Sequence, residues 1–201
     1  MQAVIFDIDG TLLQSSSIDG ELYDSALRTV LGPVRLRPSW GAYTHVTDDG
    51  ILNEVLLDNG LNATTSIVAE VKSVFFDSLL AHLSRHGPIP EVRGAKHFVE
   101  ELRRCGIRVA YATGGWGVSA RMKLQSAEFP LSGVPLVTSD DSEIRVEIMR
   151  IALQRLGDSF EKITYYGDGE WDRAAARELG WVFEAVGENL GGITEYIADA
   201  T

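Results

Sequence analysis

Ala3-Val4-Ile5-Phe6-Asp7-Ile8-Asp9-Gly10-Thr11-Leu12 sets an apolar strand against two carboxylates two positions apart and a glycine. In an open parallel sheet, ligands bind in the crevice beyond the carboxyl ends of the strands, which puts Asp7 where a substrate or metal arrives. Asp9 follows on the same side of a turning backbone. An aspartate can attack phosphorus, and a second carboxyl two residues on can donate and then withdraw a proton. The same run also reads as a strand ending in an Asx turn, because Asp and Gly are ordinary turn residues. The rest of the chain chooses between the two.

Working outward, the chain divides into two textures. From Gln14 to about Gly87 only helical patterns occur: an apolar stripe at Leu22, Tyr23, Ala26, Leu27, Val30 and Leu31, a second at Ile51, Leu52, Val55 and Leu56, and a longer third from Ile67 to Leu83. After Pro90, strands alternate with helices, the sign of a parallel sheet covered on both faces. Helix Val92 to Cys105 is followed by strand Ile107 to Ala112, a helix through Met122, a short strand near Leu136-Val137 and a helix from Ile144 to Leu156. Ile163 to Tyr166 and Trp181 to Val186 supply two more strands, and with Ala3 to Phe6 that makes five. The expectation is an α/β fold with a Rossmann-like parallel sheet of about five strands sandwiched by helices. Residues 1–13 and 88–201 would form this core, with residues 14–87 inserted after the first strand as an all-helical cap over Asp7. Leu13 to Ser17 and Gly87-Pro88-Ile89-Pro90 are the expected hinges.

Composition narrows the partners. The 201 residues carry 29 acidic against 18 basic side chains, a net charge of −11, and Arg103-Arg104 is the only adjacent basic pair. Nucleic acid and anionic membranes are poor partners for such a surface. An acidic chain still binds phosphate when a divalent cation and local donors reverse the field at the site. The single cysteine, Cys105, rules out an intrachain disulfide and a thiolate cluster, and its place in an amphipathic helix reads as packing. No apolar run approaches a membrane span and no cleavable leader precedes the first strand, so a cytoplasmic enzyme is expected.

Two further segments carry chemistry. In Tyr165-Tyr166-Gly167-Asp168-Gly169-Glu170-Trp171-Asp172, acids again follow an apolar strand. Mg²⁺ prefers octahedral oxygen coordination from one or two carboxylates, waters and substrate phosphate. Asp7, the backbone carbonyl of Asp9, and Asp168 can supply the protein share, while Asp172 reads either as a metal-site acid or as a helix-start charge. Between these acids, Val109-Ala110-Tyr111-Ala112-Thr113-Gly114-Gly115-Trp116 runs from a strand into a hydroxyl and two glycines before a helix. Backbone N–H groups there suit a phosphate, with Gly114 allowing close approach and Thr113 adding a donor. A plain N-cap with a glycine turn fits that segment equally well.

Together these pieces resemble the haloacid dehalogenase superfamily of aspartate-dependent phosphohydrolases, along nearly the whole chain. Asp7-Ile8-Asp9-Gly10-Thr11-Leu12 matches its D-x-D-G-T-L signature. The resemblance implies that Asp7 is the nucleophile, Asp9 the general acid/base, Thr113 the hydroxyl of the second motif, Gly167-Asp168 with Asp172 the acidic fourth motif, and the helical block a C1-type cap. It also implies a Mg²⁺ cofactor, and the acid at Asp9 favours phosphoryl transfer over carbon–halogen cleavage. The departure is the third motif, where the family places a lysine. Its best counterpart here is Arg145, a planar fork of donors for Asp7 and the phosphoryl oxygens, with Lys123 a second choice.

The expected substrate is a small phosphorylated metabolite, since a roofed pocket restricts access for macromolecules. Tyr43, Thr44, His45, Thr47, Asp48 and Trp116 are the candidates for specificity, although each alone is more often structural. A phosphomutase using the same intermediate, or a silent member that binds a phosphorylated ligand without turnover, are the alternatives. Oligomeric state is left open between monomer and homodimer.

Overall fold

Alternate residues of the first strand belong to opposite cores. In the computed structural model, which describes residues 1–157 and 159–188, β1 (Gln2–Phe6) turns Val4 and Phe6 to one apolar cluster and Ala3 and Ile5 to another. The next strand, β2 (Arg108–Ala112), does the same with Val109 and Tyr111 against Ala110 and Ala112. Such continuous apolar runs are what a parallel sheet with both faces covered requires.

The other strands are β3 (Leu136–Val137), β4 (Lys162–Gly167) and β5 (Val182–Ala185), and the order is β3-β2-β1-β4-β5 with every pairing parallel. Helices α4 (Ala95–Arg104) and α5 (Gly117–Ser126) cover one face, and α6 (Arg145–Leu156) and α7 (Glu170–Leu179) the other. The chain steps outward one way from β1 to β2 and β3, then crosses to the far side of β1 for β4. That reversal opens a crevice at the carboxyl ends of β1 and β4.

Between β1 and α4 the regular structure is helical: α1 (Ser16–Leu31), a 3-10 turn (Trp40–Ala42), α2 (Asp48–Asp58) and α3 (Thr65–His86). The three predicted stripes pack on one another in a third cluster built on Tyr23, Leu27, Leu52, Val55, Val71 and Phe75. Among the described residues, no helix is long and apolar enough to cross a membrane.

Differences from the sequence reading are local. The helix expected from Val92 begins at Ala95, because Gly94 takes a left-handed turn at φ 82° and the Val92 N–H is already given to the Leu12 carbonyl. Cys105, expected to pack, is exposed. The helix stops at Arg104 and Gly106, at φ 78°, turns the chain toward β2, so position 105 comes out at the surface. The Leu13 to Ser17 stretch is tied down: Leu13 is fully buried and bridges both Asp9 and Glu91.

Candidate active site

Because β1 and β4 are neighbours in register, the loops that follow them are neighbours too. The Asp7 N–H donates to the Tyr166 carbonyl at 2.9 Å, which draws Asp7 and Asp168 to one rim of the sheet. Gly10, at φ 81°, lets the first loop fold back beneath the second. A Cβ there would lie 2.0 Å from Asp168 Oδ2 and 2.3 Å from Ser16 Oγ. Thr11 Oγ1 stands 3.3 Å from Asp7 Oδ2 and 3.5 Å from Asp168 Oδ1, between the two acids. Asp172, on the first turn of α7, accepts the Gly169 N–H at 3.1 Å and is completely buried.

Two cations meet these acids. Arg145, the first residue of α6, places Nη1 2.8 Å from Asp172 Oδ1 and 3.4 Å from Asp7 Oδ1, while Nη2 donates to the Val46 carbonyl at 2.8 Å. Lys123, in the last turn of α5, pairs with Asp9 and Asp19 rather than with Asp7. Its ammonium lies 2.5 Å from Asp9 Oδ1 and 2.6 Å from Asp19 Oδ1 of α1, with no exposed surface of its own. Asp9 Oδ1 also accepts the Ser15 hydroxyl at 2.6 Å.

The glycine loop after β2 completes the floor. Thr113 is buried and its Oγ1 accepts the Gly115 N–H at 3.1 Å. A Cβ on Gly114 would meet Arg145 Nη2 at 2.4 Å and the Val46 carbonyl at 2.7 Å, so the close packing of these three segments requires glycine there. A cavity of about 1000 Å³ opens over this floor. Asp7, Asp9, Thr113, Gly114, Arg145 and Asp168 all line it, as do Tyr43, Thr44, Thr47 and Asp48 from the helical segment.

Thr47 and Asp48 are also strongly held: Thr47 Oγ1 donates to the Glu143 carbonyl at 2.7 Å, and Asp48 Oδ2 accepts the Trp116 N–H at 2.8 Å. His45 and Trp116 are not among the lining residues. Trp116 is fully buried between Tyr23, Phe75 and Phe76, with its indole N–H given to Asp49 at 2.8 Å. His45 is half-buried and its backbone N–H goes to Glu54. Ser15 and Asp19 are what sequence reasoning missed around Asp9, and Lys123, the second choice for the third-motif cation, meets Asp9 rather than Asp7. A signal for Lys123 existed: it shares the inward stripe of α5 with Ser119, Ala120 and Leu124, where a charge needs a buried partner.

Burial pushes the Asp7 carboxyl well above its usual range, the Asp172 and Asp168 carboxylates push it further, and Arg145 offsets part of this. Burial also raises Asp172 against the pull of Arg145. Burial works against the Arg145 charge, but Asp172, Tyr165 and Asp7 outweigh it and hold its pKa above the ordinary value. Oxygens of the buried Asp7, Asp168 and Asp172 lie within 4.8 Å of one another. Arg145 meets Asp7 and Asp172 of this group, and an all-oxygen set of three carboxylates fits a hard divalent cation.

A family model for haloacid dehalogenase-like hydrolases matches residues 1–180. The chain belongs to that family. A hydrolase from Pseudomonas syringae has a similar fold, with a TM-score of 0.73, 20% identity, and alignment over 97% of this chain and 92% of that one. CbbY from Rhodobacter sphaeroides, solved in complex with xylulose-(1,5)bisphosphate, gives a TM-score of 0.74 at 17% identity over 97% and 92% of the two chains. A third similar structure, described as a β-phosphoglucomutase from Thermotoga maritima, gives 0.58 at 20% identity over 96% and 89%. No curated protein sequence matches the chain. As a haloacid dehalogenase-like hydrolase, the chain carries its paired first-loop acids, its hydroxyl loop and its second acidic loop on three adjacent parallel strands.

Proposed function

We propose that this hydrolase cleaves a small phosphomonoester through an aspartyl-phosphate on Asp7. The observation that carries the reading is the meeting of Asp7, Arg145 and Asp172 with Asp168 at one rim, beside the Thr113 loop and beneath a single cavity. A carboxylate oxygen of Asp7 attacks phosphorus, and the bond from phosphorus to the ester oxygen breaks as Asp9 gives that oxygen a proton. Asp9 then takes a proton from a water whose oxygen attacks the same phosphorus, releasing inorganic phosphate and restoring Asp7. Arg145, with the Thr113 hydroxyl and the Gly114 N–H of the glycine loop, holds the transferring oxygens, which is where charge develops.

Asp7, Asp168 and Asp172, with the backbone carbonyl of Asp9, would hold the cation, taken to be Mg²⁺. That ion supplies charge neutralisation between a dianionic ester and the Asp7 carboxylate. Residues 14–87 serve as a cap whose Tyr43, Thr44, Thr47 and Asp48 face the leaving group; His45 and Trp116 support that wall from behind. A small phosphorylated metabolite suits a pocket of this size.

The test is release of inorganic phosphate from p-nitrophenyl phosphate with and without Mg²⁺, in the wild type and in Asp7→Asn. The reading requires Mg²⁺-dependent release that Asp7→Asn abolishes; equal rates in the two proteins remove Asp7 as nucleophile. Return of the phosphoryl group to a bound sugar, with no phosphate released, would make the chain a phosphomutase instead.

A further inference from the structure

A lysine with no exposed surface is costly unless its charge is met, and Lys123 is met twice, by carboxylates from different parts of the chain. Asp9 comes from the loop after β1, Asp19 from the first turn of α1, and Lys123 from α5 on the sheet. Lys123 lines no part of the cavity, so it touches Asp9 and not the substrate. The contacts on Asp9 are one-sided. Ser15 and Lys123 both bind Oδ1, while Oδ2 faces the glycine loop, where a Cβ on Gly115 would lie 3.4 Å from Oδ2 and 3.6 Å from Thr113 Oγ1. One oxygen is anchored and the other is turned to the floor that would receive a phosphate.

We propose that Lys123 is a positioning residue for Asp9, held in place by its ion pair with Asp19 of α1, so that the proton-transferring oxygen is aimed into the site. This deepens the phosphohydrolase reading and rests on it. Were Lys123 only a buried fastener, its loss would weaken the protein and lower turnover of all esters alike. A positioning role makes the loss depend on how much the departing oxygen needs a proton.

The experiment compares kcat/KM for phenyl phosphate, whose strongly basic phenolate needs protonation, and dinitrophenyl phosphate, whose weakly basic phenolate departs unaided. This parameter covers the steps through the first transfer to Asp7 and leaves out hydrolysis of the intermediate. Lys123→Met is expected to lose about 100-fold on phenyl phosphate and only a few-fold on dinitrophenyl phosphate, the first figure being that of a lost general acid. Lys123→Arg is expected to recover part of the phenyl phosphate rate.

Since Lys123→Met leaves two carboxylates without a cation, the double variant Lys123→Met/Asp19→Leu supplies a stable apolar replacement, as buried ion pairs often allow. A double variant with a wild-type melting temperature and an undiminished preference for the activated ester supports the proposal. One that regains the wild-type rate on phenyl phosphate overturns it, as do parallel losses on both esters. A wild type that hydrolyses neither ester with Mg²⁺ removes the phosphohydrolase reading itself, and this inference with it.

Discussion

Arg145 donates to the Val46 carbonyl at 2.8 Å from the same guanidinium whose other terminal nitrogen faces Asp7. The cation beside Asp7 is therefore also a strut to the helical segment. Arg145→Lys keeps the charge but cannot span both contacts with a fork. We expect kcat/KM toward p-nitrophenyl phosphate to fall about 10- to 100-fold in Arg145→Lys and about 100- to 1,000-fold in Arg145→Met, the cost of losing a preorganised donor. Steady-state kinetics checks it, and unchanged kcat/KM in Arg145→Met would remove the residue from the chemistry.

The acid cluster makes metal binding visible without turnover. Mg²⁺ at about 100 times its dissociation constant should stabilise the folded protein by about 2.7 kcal/mol. For a chain of this size that is a rise of several degrees in Tm. Asp168→Asn should lose most of the rise in a thermal shift titration, because it removes a carboxylate oxygen donor from the cluster.

Gly10 tests the packing of the two acidic loops. At φ 81°, with a Cβ only 2.0 Å from Asp168 Oδ2, Gly10→Ala pays both backbone strain and displacement of that acid. Its unfolding free energy from urea denaturation should drop by about 1–3 kcal/mol, and Mg²⁺-dependent hydrolysis should fall with it.

Asp19 shares the Lys123 ammonium with Asp9, and burial makes it hold its proton to a higher pH than an ordinary aspartate. Burial raises Asp19 from 3.8 to about 6, with Asp9 adding to the rise and Lys123 opposing it. Between those values the folded state holds a proton the unfolded chain has lost, so stability from this group falls as pH rises from about 4 to about 6 and is level above. Asp19→Asn removes that slope. Urea denaturation at a series of pH values should show the wild type losing ground to Asp19→Asn across that window; a constant difference would contradict the assignment.

How far the sequence alone reached is clearest at particular residues. Phe6 and Asp7 marked the end of β1 and the candidate site because a strand buried on both faces has no polar residue until it leaves the sheet. Asp168 followed by the same logic, and the stripes through Tyr23, Leu52 and Phe75 found their helices. Trp116 misled as a pocket residue: it stands beside the glycine loop in sequence, yet its ring is drawn into Tyr23, Phe75 and Phe76 of the helical segment. Lys123 was legible as a charge on an inward stripe. Its partner Asp19 lies 104 positions away, a pairing that only the folded chain decides. Arg145, chosen as the counterpart of a missing lysine, does reach Asp7, and the extra contact to Val46 had no sequence signal.

The central claim is that Asp7 carries the phosphoryl group during turnover. Mixing the enzyme and Mg²⁺ with excess radiolabelled ester, quenching in acid within the first turnover and mapping the peptides reads this directly. The account expects label on the peptide containing Asp7, in an amount approaching one per chain, and none in Asp7→Asn. Inorganic phosphate formed at full rate with no label on the protein, or an active Asp7→Asn, would contradict it.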